Sequence, residues 1–154
     1  MILCPLQGLE QTVTQRFGER PEYYKKYGMN GHNGIDLRAK VGTPLFAGFE
    51  GIARVVDDGN IGYGLHIEIT KANGKVLTAH LSKVFIKDGQ RVYMGDKIAL
   101  TGNSGDSSAP HLHITGKRTD DAGNVLDYNN GFKGAYDCLD RVITWKGGLM
   151  VPNF

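Results

Sequence analysis

Cysteine, tryptophan and proline are all scarce: the 154 residues include two, one and five of them respectively. The two cysteines, Cys4 and Cys138, sit at opposite ends of the chain, so no Cys-x-x-Cys pair is available to hold a structural metal. They can close one bridge if the termini meet, or stay as two buried thiols. No apolar run is long enough to cross a bilayer, so no membrane span is expected. The opening Met1-Ile2-Leu3-Cys4-Pro5 has neither the charged n-region nor the full apolar h-region of an export signal. Charge of one sign is also lacking. With 18 Lys+Arg against 16 Asp+Glu, the formal charge is +2 without a cationic run, which argues against nucleic acid as a partner. The mild basicity is compatible with an anionic polymer. Neither Gly-x-Ser-x-Gly nor His-Glu-x-x-His occurs, so a serine nucleophile elbow and a helical zinc motif are both unsupported. The sequence shows no internal repeat, linker or Asn-x-Ser/Thr sequon.

Glycine is in excess, 22 residues spread along the whole length, which implies many tight turns. Hydrophobic residues at 40% and charged residues at 22% suit a single domain spanning 1–154. Helical periodicity is confined to Pro21 through Gly28, where Pro suits a first helical position and Gly a C-terminal cap, so a short N-terminal helix is expected. Elsewhere, alternation over short stretches bounded by Gly, Asn and Asp predicts a mostly β, antiparallel architecture. In Leu65 to Thr70, Leu65, Ile67 and Ile69 share one face and His66, Glu68 and Thr70 the other. Asn73-Gly74 predicts a tight hairpin turn. The returning Lys75 to Leu81 places Val76, Thr78 and His80 on one face, away from Leu77, Ala79 and Leu81. The tail, with the sole tryptophan Trp145, is expected to pack at an edge.

The five histidines are the main chemical signal. His111-Leu112-His113 alternates like a strand, so both imidazoles project from one face while Leu112 and Ile114 point to the other. Alone, such a pair is more often hydrogen-bonded or solvent-facing than metal-bound. His32-Asn33-Gly34-Ile35-Asp36 offers further ligands. Gly31, Asn33 and Gly34 disfavour a helix, so a loop leading into a strand from Ile35 to Arg38 presents Asp36 beside His32. The bland alternative is a turn in which Asp36 caps a backbone group. Two imidazole nitrogens and one carboxylate oxygen form a three-ligand set suited to Zn²⁺, leaving the fourth tetrahedral position for water, and an open position implies catalysis. His80 and whichever of His111 and His113 is not a ligand would flank that water. They can take its proton as neutral imidazole or steady an oxyanion as imidazolium. His66, on the polar face of its strand, has no partner to suggest a ligand role. Tyr23, Tyr24 and Tyr27 suit contact with a sugar or peptide, or the commoner packing of a short helix.

A longer set of landmarks runs in order along the chain. They are Gly31-His32-Asn33-Gly34-Ile35-Asp36; Gly42-Thr43-Pro44-Leu45-Phe46-Ala47 followed by Gly51; Gly62-Tyr63-Gly64; and Ala79-His80-Leu81-Ser82. Gly89-Gln90-Arg91-Val92 with Gly95, then Thr101-Gly102-Asn103-Ser104-Gly105 leading to Pro110-His111-Leu112-His113, complete it. On these residues the chain resembles the lysostaphin-type, or LytM-type, zinc endopeptidases that cut bacterial peptidoglycan peptides. The resemblance covers roughly residues 30 to 118, with 1–29 and 119–154 as flanking extensions. It implies metal ligands at His32, Asp36 and His113 and catalytic histidines at His80 and His111. It also implies an antiparallel sheet of the duplicated hybrid-motif type with an open groove, and action on stem or cross-bridge peptides in the bacterial wall space, whether extracellular, periplasmic or virion-borne. The segments Gln15-Arg16-Phe17-Gly18 through Tyr27-Gly28 and Asn130 through Ala135 are similar to versions of this domain in bacteriophage tail proteins. Delivery by a phage tail assembly, by a larger parent chain or by cell lysis all fit.

Two departures stand out. Thr78 stands where the family usually has Tyr, and Ile114 and Thr115 stand where it often has an aromatic and an acid. A lost phenol would remove a groove contact or a donor to the intermediate. The rival of a different class is a wall-binding or virion structural module that holds zinc and hydrolyses little. A lipoyl-type carrier, suggested by Gly89-Gln90-Arg91-Val92 to Gly95-Asp96-Lys97-Ile98, lacks a modifiable Lys at the Gly102 to Asp106 tip.

Overall fold

The computed structural model describes residues 1–8, 10–146 and 149–152, with side chains described as far as Thr144. In chain order the elements are β1 (Ile2–Leu3), β2 (Val13–Gln15), α1 (Pro21–Tyr24), β3 (Ile35–Arg38), β4 (Pro44–Phe46), β5 (Gly51–Asp57) and β6 (Leu65–Lys71). They continue with β7 (Gly74–Val84), β8 (Arg91–Val92), β9 (Lys97–Thr101), β10 (His111–Lys117), β11 (Ala135–Tyr136), β12 (Val142–Lys146) and β13 (Leu149–Pro152). Ten strands make one sheet whose main path is β2-β3-β10-β7-β6-β5-β8, with β11 on β10, and β9 bridging β7 and β4. All its registered pairs are antiparallel. β1, β12 and β13 form a second sheet, in which β1 and β12 run parallel. The mostly β, antiparallel reading of the sequence is therefore correct. No helix among the described residues is long and apolar enough to cross a membrane.

The core lies on one face of the central strands. Leu112 pairs with Leu37 and Ile114 with Ile35 across β10 and β3, and all four are fully buried with Ile67, Ile69 and Val76 in one apolar cluster. Each such side chain contributes about 1.5–3 kcal/mol by leaving water. The period of two then forces Asp36, His111 and His113 onto the opposite face.

Local details differ from the sequence reading in two places, and a third settles an alternative that the sequence left open. The expected helix over 21–28 splits into α1 and a 3₁₀ turn, Lys25–Tyr27, closed by Gly28 at φ 71°. A single α-turn with no side-chain cap at Arg20 has too few bonds to propagate, so it tightens at its end. The hairpin turn is Ala72-Asn73, because Lys71 already pairs with Gly74 and Asn73 takes the left-handed position at φ 71°. Cys4 and Cys138 are two unbridged buried thiols, pushed up by burial to about 11 and about 12. Trp145 has its backbone in β12, and its side chain lies outside the described residues.

Candidate metal centre

Asp36 on β3 stands directly opposite His113 on β10, which puts their Cβ atoms about 5 Å apart on one face. His32 reaches the same point from the loop before β3. Gly34 lets that loop lie flat on β10, since a Cβ there would come 2.2 Å from the Ile114 carbonyl oxygen and 2.8 Å from the His113 ring. His32 Nε2 is 3.1 Å from Asp36 Oδ1, His113 Nδ1 is 2.9 Å from the same oxygen, and the two nitrogens are 3.0 Å apart. A tetrahedral site with bonds of about 2.0–2.1 Å has edges of about 3.3 Å, so this triangle has the size that one zinc-like ion requires. All three residues are buried.

The outer atoms of the imidazoles orient them. His32 Nδ1 is 3.1 Å from the Arg16 carbonyl oxygen, which can only accept, so Nδ1–H donates and Nε2 faces inward. His113 Nε2 is 2.7 Å from Thr115 Oγ1, which leaves Nδ1 inward. Burial pushes the Asp36 carboxyl up, but its contacts with His113 and His32 outweigh that and hold it well below the usual carboxylate range. Burial pushes His113 down, toward neutral imidazole. No Lys or Arg pairs with Asp36 among the described residues. With protons on the inward nitrogens the triangle is a hydrogen-bonded cluster. Without them, three lone pairs and a buried negative charge converge, and a divalent cation resolves that conflict. Two nitrogens and one oxygen are donors that suit zinc.

His111 joins the same floor by alternation, with Nε2 3.4 Å from Asp36 Oδ2 and Nδ1 2.8 Å from the Ala109 carbonyl oxygen. His80 arrives differently. Ala79 pairs with His113, so strict alternation would send His80 to the apolar face with Val76 and Thr78. Instead β7 carries one residue more than β6 between the pairs Leu65–Leu81 and Ile67–Thr78, and His80 takes a left-handed φ of 62°. This bulge turns the imidazole onto the site face, its centroid 4.8 Å from that of His111 and 5.9 Å from that of His113. The face assigned to His80 by the sequence pattern is thus corrected. Its Nδ1 lies 2.7 Å from the Ser104 carbonyl oxygen and its backbone N–H donates to Tyr63 O. The Gly62-Tyr63-Gly64 and Gly102-Asn103-Ser104-Gly105 landmarks are therefore the two loops that hold His80. They touch so closely that a Cβ on Gly64 would come 2.4 Å from Gly105 N. Burial, then the neighbouring His113, lowers His80 to about 4, so it is a neutral base near pH 7.

A roof completes the site. Tyr23 Oη donates to Asp106 Oδ2 at 2.8 Å, Tyr27 Oη donates to the same oxygen, and Lys26 Nζ lies 3.0 Å from it. This clasp ties α1 and its 3₁₀ turn to the loop between β9 and β10. The cleft on one side is lined by Asn33, Tyr63, Lys117, Tyr128 and Lys133, and the cleft on the other by Thr14, Gln15, Arg38 and Ser107 to Pro110. Both include Tyr23, Tyr24, His80, Asp106 and His113, so the groove has two arms that meet at the histidines.

The structure thus gathers His32, Asp36, His80, His111 and His113, and leaves out His66. That ring is buried, with Nδ1 2.8 Å from the Gly64 carbonyl oxygen. Asp106 was invisible in the sequence, because nothing local marks an acid that meets two tyrosines from about 80 positions upstream. Thr78 pairs with Ile114 and Ile67 on the apolar face, so it does not line the groove.

Two imidazoles and a carboxylate meeting at one point of a sheet, with two more histidines beside them, is the kind of site a hydrolytic metalloprotein is built around. Residues 30–127 match Peptidase family M23, and the chain belongs to that family. It is 37% identical to the peptidoglycan DD-endopeptidase ShyA of Vibrio cholerae over 84 residues, which are 53% of this chain and 19% of ShyA. It is 40% identical to the glycyl-glycine endopeptidase ALE-1 of Staphylococcus capitis over 93 residues, 56% of this chain and 25% of ALE-1. The chain therefore spans a quarter or less of those curated relatives. Among solved structures, the catalytic domain of the prophage-encoded M23 protein EnpA from Enterococcus faecalis, an A109H mutant, superposes with a TM-score of 0.64 at 29% identity. That match covers 82% of this chain and 95% of that one. The lysostaphin catalytic domain from Staphylococcus simulans gives 0.63 at 28% identity, covering 83% and 89%. A zinc-containing peptidase from Vibrio cholerae gives 0.65 at 27%, covering 75% and 36%.

Proposed function

We propose that residues 1–154 form one zinc-dependent endopeptidase domain that hydrolyses peptide bonds in the stem or cross-bridge peptides of bacterial peptidoglycan, acting in the wall space or carried there by a virion. The observation that carries this reading is the 2.9–3.1 Å triangle of His32, Asp36 and His113, with His80 and His111 beside it. The substrate rests on the relatives, a peptidoglycan DD-endopeptidase and a glycyl-glycine endopeptidase.

Zinc held by the three ligands supplies Lewis acidity and a water of lowered pKa. The rest falls to the chain's own groups. His80, neutral and fixed through Nδ1 on Ser104, offers Nε2 to take a proton. His111, fixed through Nδ1 on Ala109, is aimed at the Asp36 end of the site and can return a proton or steady developing negative charge. Arg16 and Thr115 keep the ligand rings turned inward.

The test is elemental analysis beside release of peptides from purified sacculi. Wild type is expected to bind one zinc per chain and to solubilise the wall, and His113→Ala to lose both. Full zinc stoichiometry and undiminished lysis in that variant would refute the assignment.

A further inference from the structure

One arm of the groove carries charge that the hydrolytic chemistry does not use. Lys117 ends β10 on the face of His113 and Thr115, half-buried in the cleft, and among the described residues its ammonium has no ion pair or hydrogen bond. The acid nearest to it electrostatically, Glu68, is already engaged by Lys75 at 3.5 Å and Arg54 at 3.6 Å. Lys133 lines the same cleft, also half-buried and, among the described residues, also without an ion pair. It is set there by the fold. Lys117 pairs with Ala135 on β11, two residues beyond Lys133. Lys133 itself holds a left-handed φ of 55°, while Asn130 Oδ1 accepts the amides of Phe132 at 2.8 Å and Gly134 at 3.1 Å on either side of it. Burial strips the Lys117 ammonium of part of its water, and Lys75 opposite it and Lys133 in the same cleft add like-charge repulsion, so an anion in the cleft relieves both the repulsion and the lost hydration.

We propose that Lys117 and Lys133 form a carboxylate-binding subsite that selects the substrate peptide, a proposal that rests on the endopeptidase reading above. Lys117 is four residues past His113, about 13 Å along the strand, and an extended peptide lying in the cleft over the face of β10, along the strand direction, advances at nearly the same rise. Allowing for the reach of the lysine stems, the recognised carboxylate lies about two to four residues from the cut bond. It belongs either to an acidic side chain or to the peptide C-terminus. Tyr63, Tyr128 and Met29 supply the apolar wall that keeps the charges partly dry.

The experiment uses synthetic wall peptides in matched sets. One set carries a side-chain carboxylate or its carboxamide in that window, and a second carries a free or amidated C-terminus there. The zinc-loaded full chain is expected to favour one carboxylate form by about tenfold or more in kcat/KM, the effect of a charge-assisted contact. The set that shows the preference identifies the source. Lys117→Met with Lys133→Met should bring the ratio of carboxylate to carboxamide cleavage near one, and the double arginine variant should keep the preference. If wild type cuts both forms of both sets equally, or the methionine variant keeps the ratio, the subsite is refuted while the endopeptidase reading stands. If no peptide is cut, that reading falls instead. The subsite is then judged by calorimetric binding of the same peptides: tighter binding of one carboxylate form, lost in the methionine variant, supports it, and equal binding refutes it.

Discussion

β10 and β7 deliver histidines to the same floor by different means. β10 uses plain alternation, so that His111 and His113 share a face and Leu112 and Ile114 share the other. β7 breaks alternation, and His80 reaches the site only because an extra residue and a left-handed backbone turn it over. The strand that bears the proposed ligand His113 is thus regular and deeply fixed, whereas His80, the proposed proton carrier, sits on a strained insertion braced by two glycine loops. Metal affinity should therefore follow the regular strands, and turnover should follow the bulge.

Changing a proposed ligand in the regular pair tests this most severely. Asp36→Asn keeps the shape of the side chain but removes the only buried negative charge of the triangle. It should lower zinc affinity by more than about tenfold and abolish detectable wall lysis, as read by competition with a chelator and by turbidity. On the bulge, His80→Ala should retain zinc and lose about 10²–10⁴ in rate. Loss of zinc from His80→Ala, or full activity without it, would erase the division of labour between the two strands.

That division was only half legible in the sequence. The period of two was enough to put both β10 histidines on one face and to begin β3 at Ile35, because both strands keep their registers without interruption. The bulge was not legible, since nothing in Leu77-Thr78-Ala79-His80-Leu81 distinguishes a strand that runs straight from one that carries an extra residue. Only the pairings of Leu65 and Ile67 across the sheet reveal it. The landmarks Gly64 and Gly105 were visible as glycines, but their reason, mutual contact behind His80, needed three dimensions. The Asp106 clasp and the Lys117–Lys133 pair were hidden for the same reason: each joins segments that are remote in sequence.

Acid offers a finer probe of the bulge. His80 is lowered from its ordinary 6.5 to about 4 in the fold, chiefly by burial, so the folded protein takes up its proton later than the unfolded chain does. Its contribution to stability is complete above the unfolded value and is lost as pH falls from about 6.5 to about 4, amounting to about 3 kcal/mol over that window. In the metal-free protein, denaturant unfolding of His80→Gln should show a shallower decline across this window than wild type. Parallel curves would mean that His80 is not desolvated as its placement requires.

On the other face of β7, Thr78 sits between Ile67 and Ile114 with its buried hydroxyl unpartnered among the described residues. Thr78→Val removes that hydroxyl at nearly constant shape and should stabilise the fold by about 1–2 kcal/mol with turnover unchanged, by thermal and denaturant unfolding. A large change in rate would show instead that this position does reach the groove.

The smallest effect isolates the backbone of the bulge itself. At φ 62°, any residue with a Cβ is strained relative to glycine, independent of what the imidazole contacts. His80→Ala and His80→Gly both discard the ring, so their difference reports the backbone alone. In an unstrained strand the glycine variant would be the less stable of the two, because it adds chain entropy to the unfolded state. Here the order should invert, with His80→Gly more stable than His80→Ala by about 1 kcal/mol. Equal stability, or the ordinary order, would mean that β7 relaxes to regular pairing once the imidazole is gone. The side chain's hydrogen bond to Ser104 and its place beside His111, rather than the loops around Gly64 and Gly105, would then be what creates the bulge.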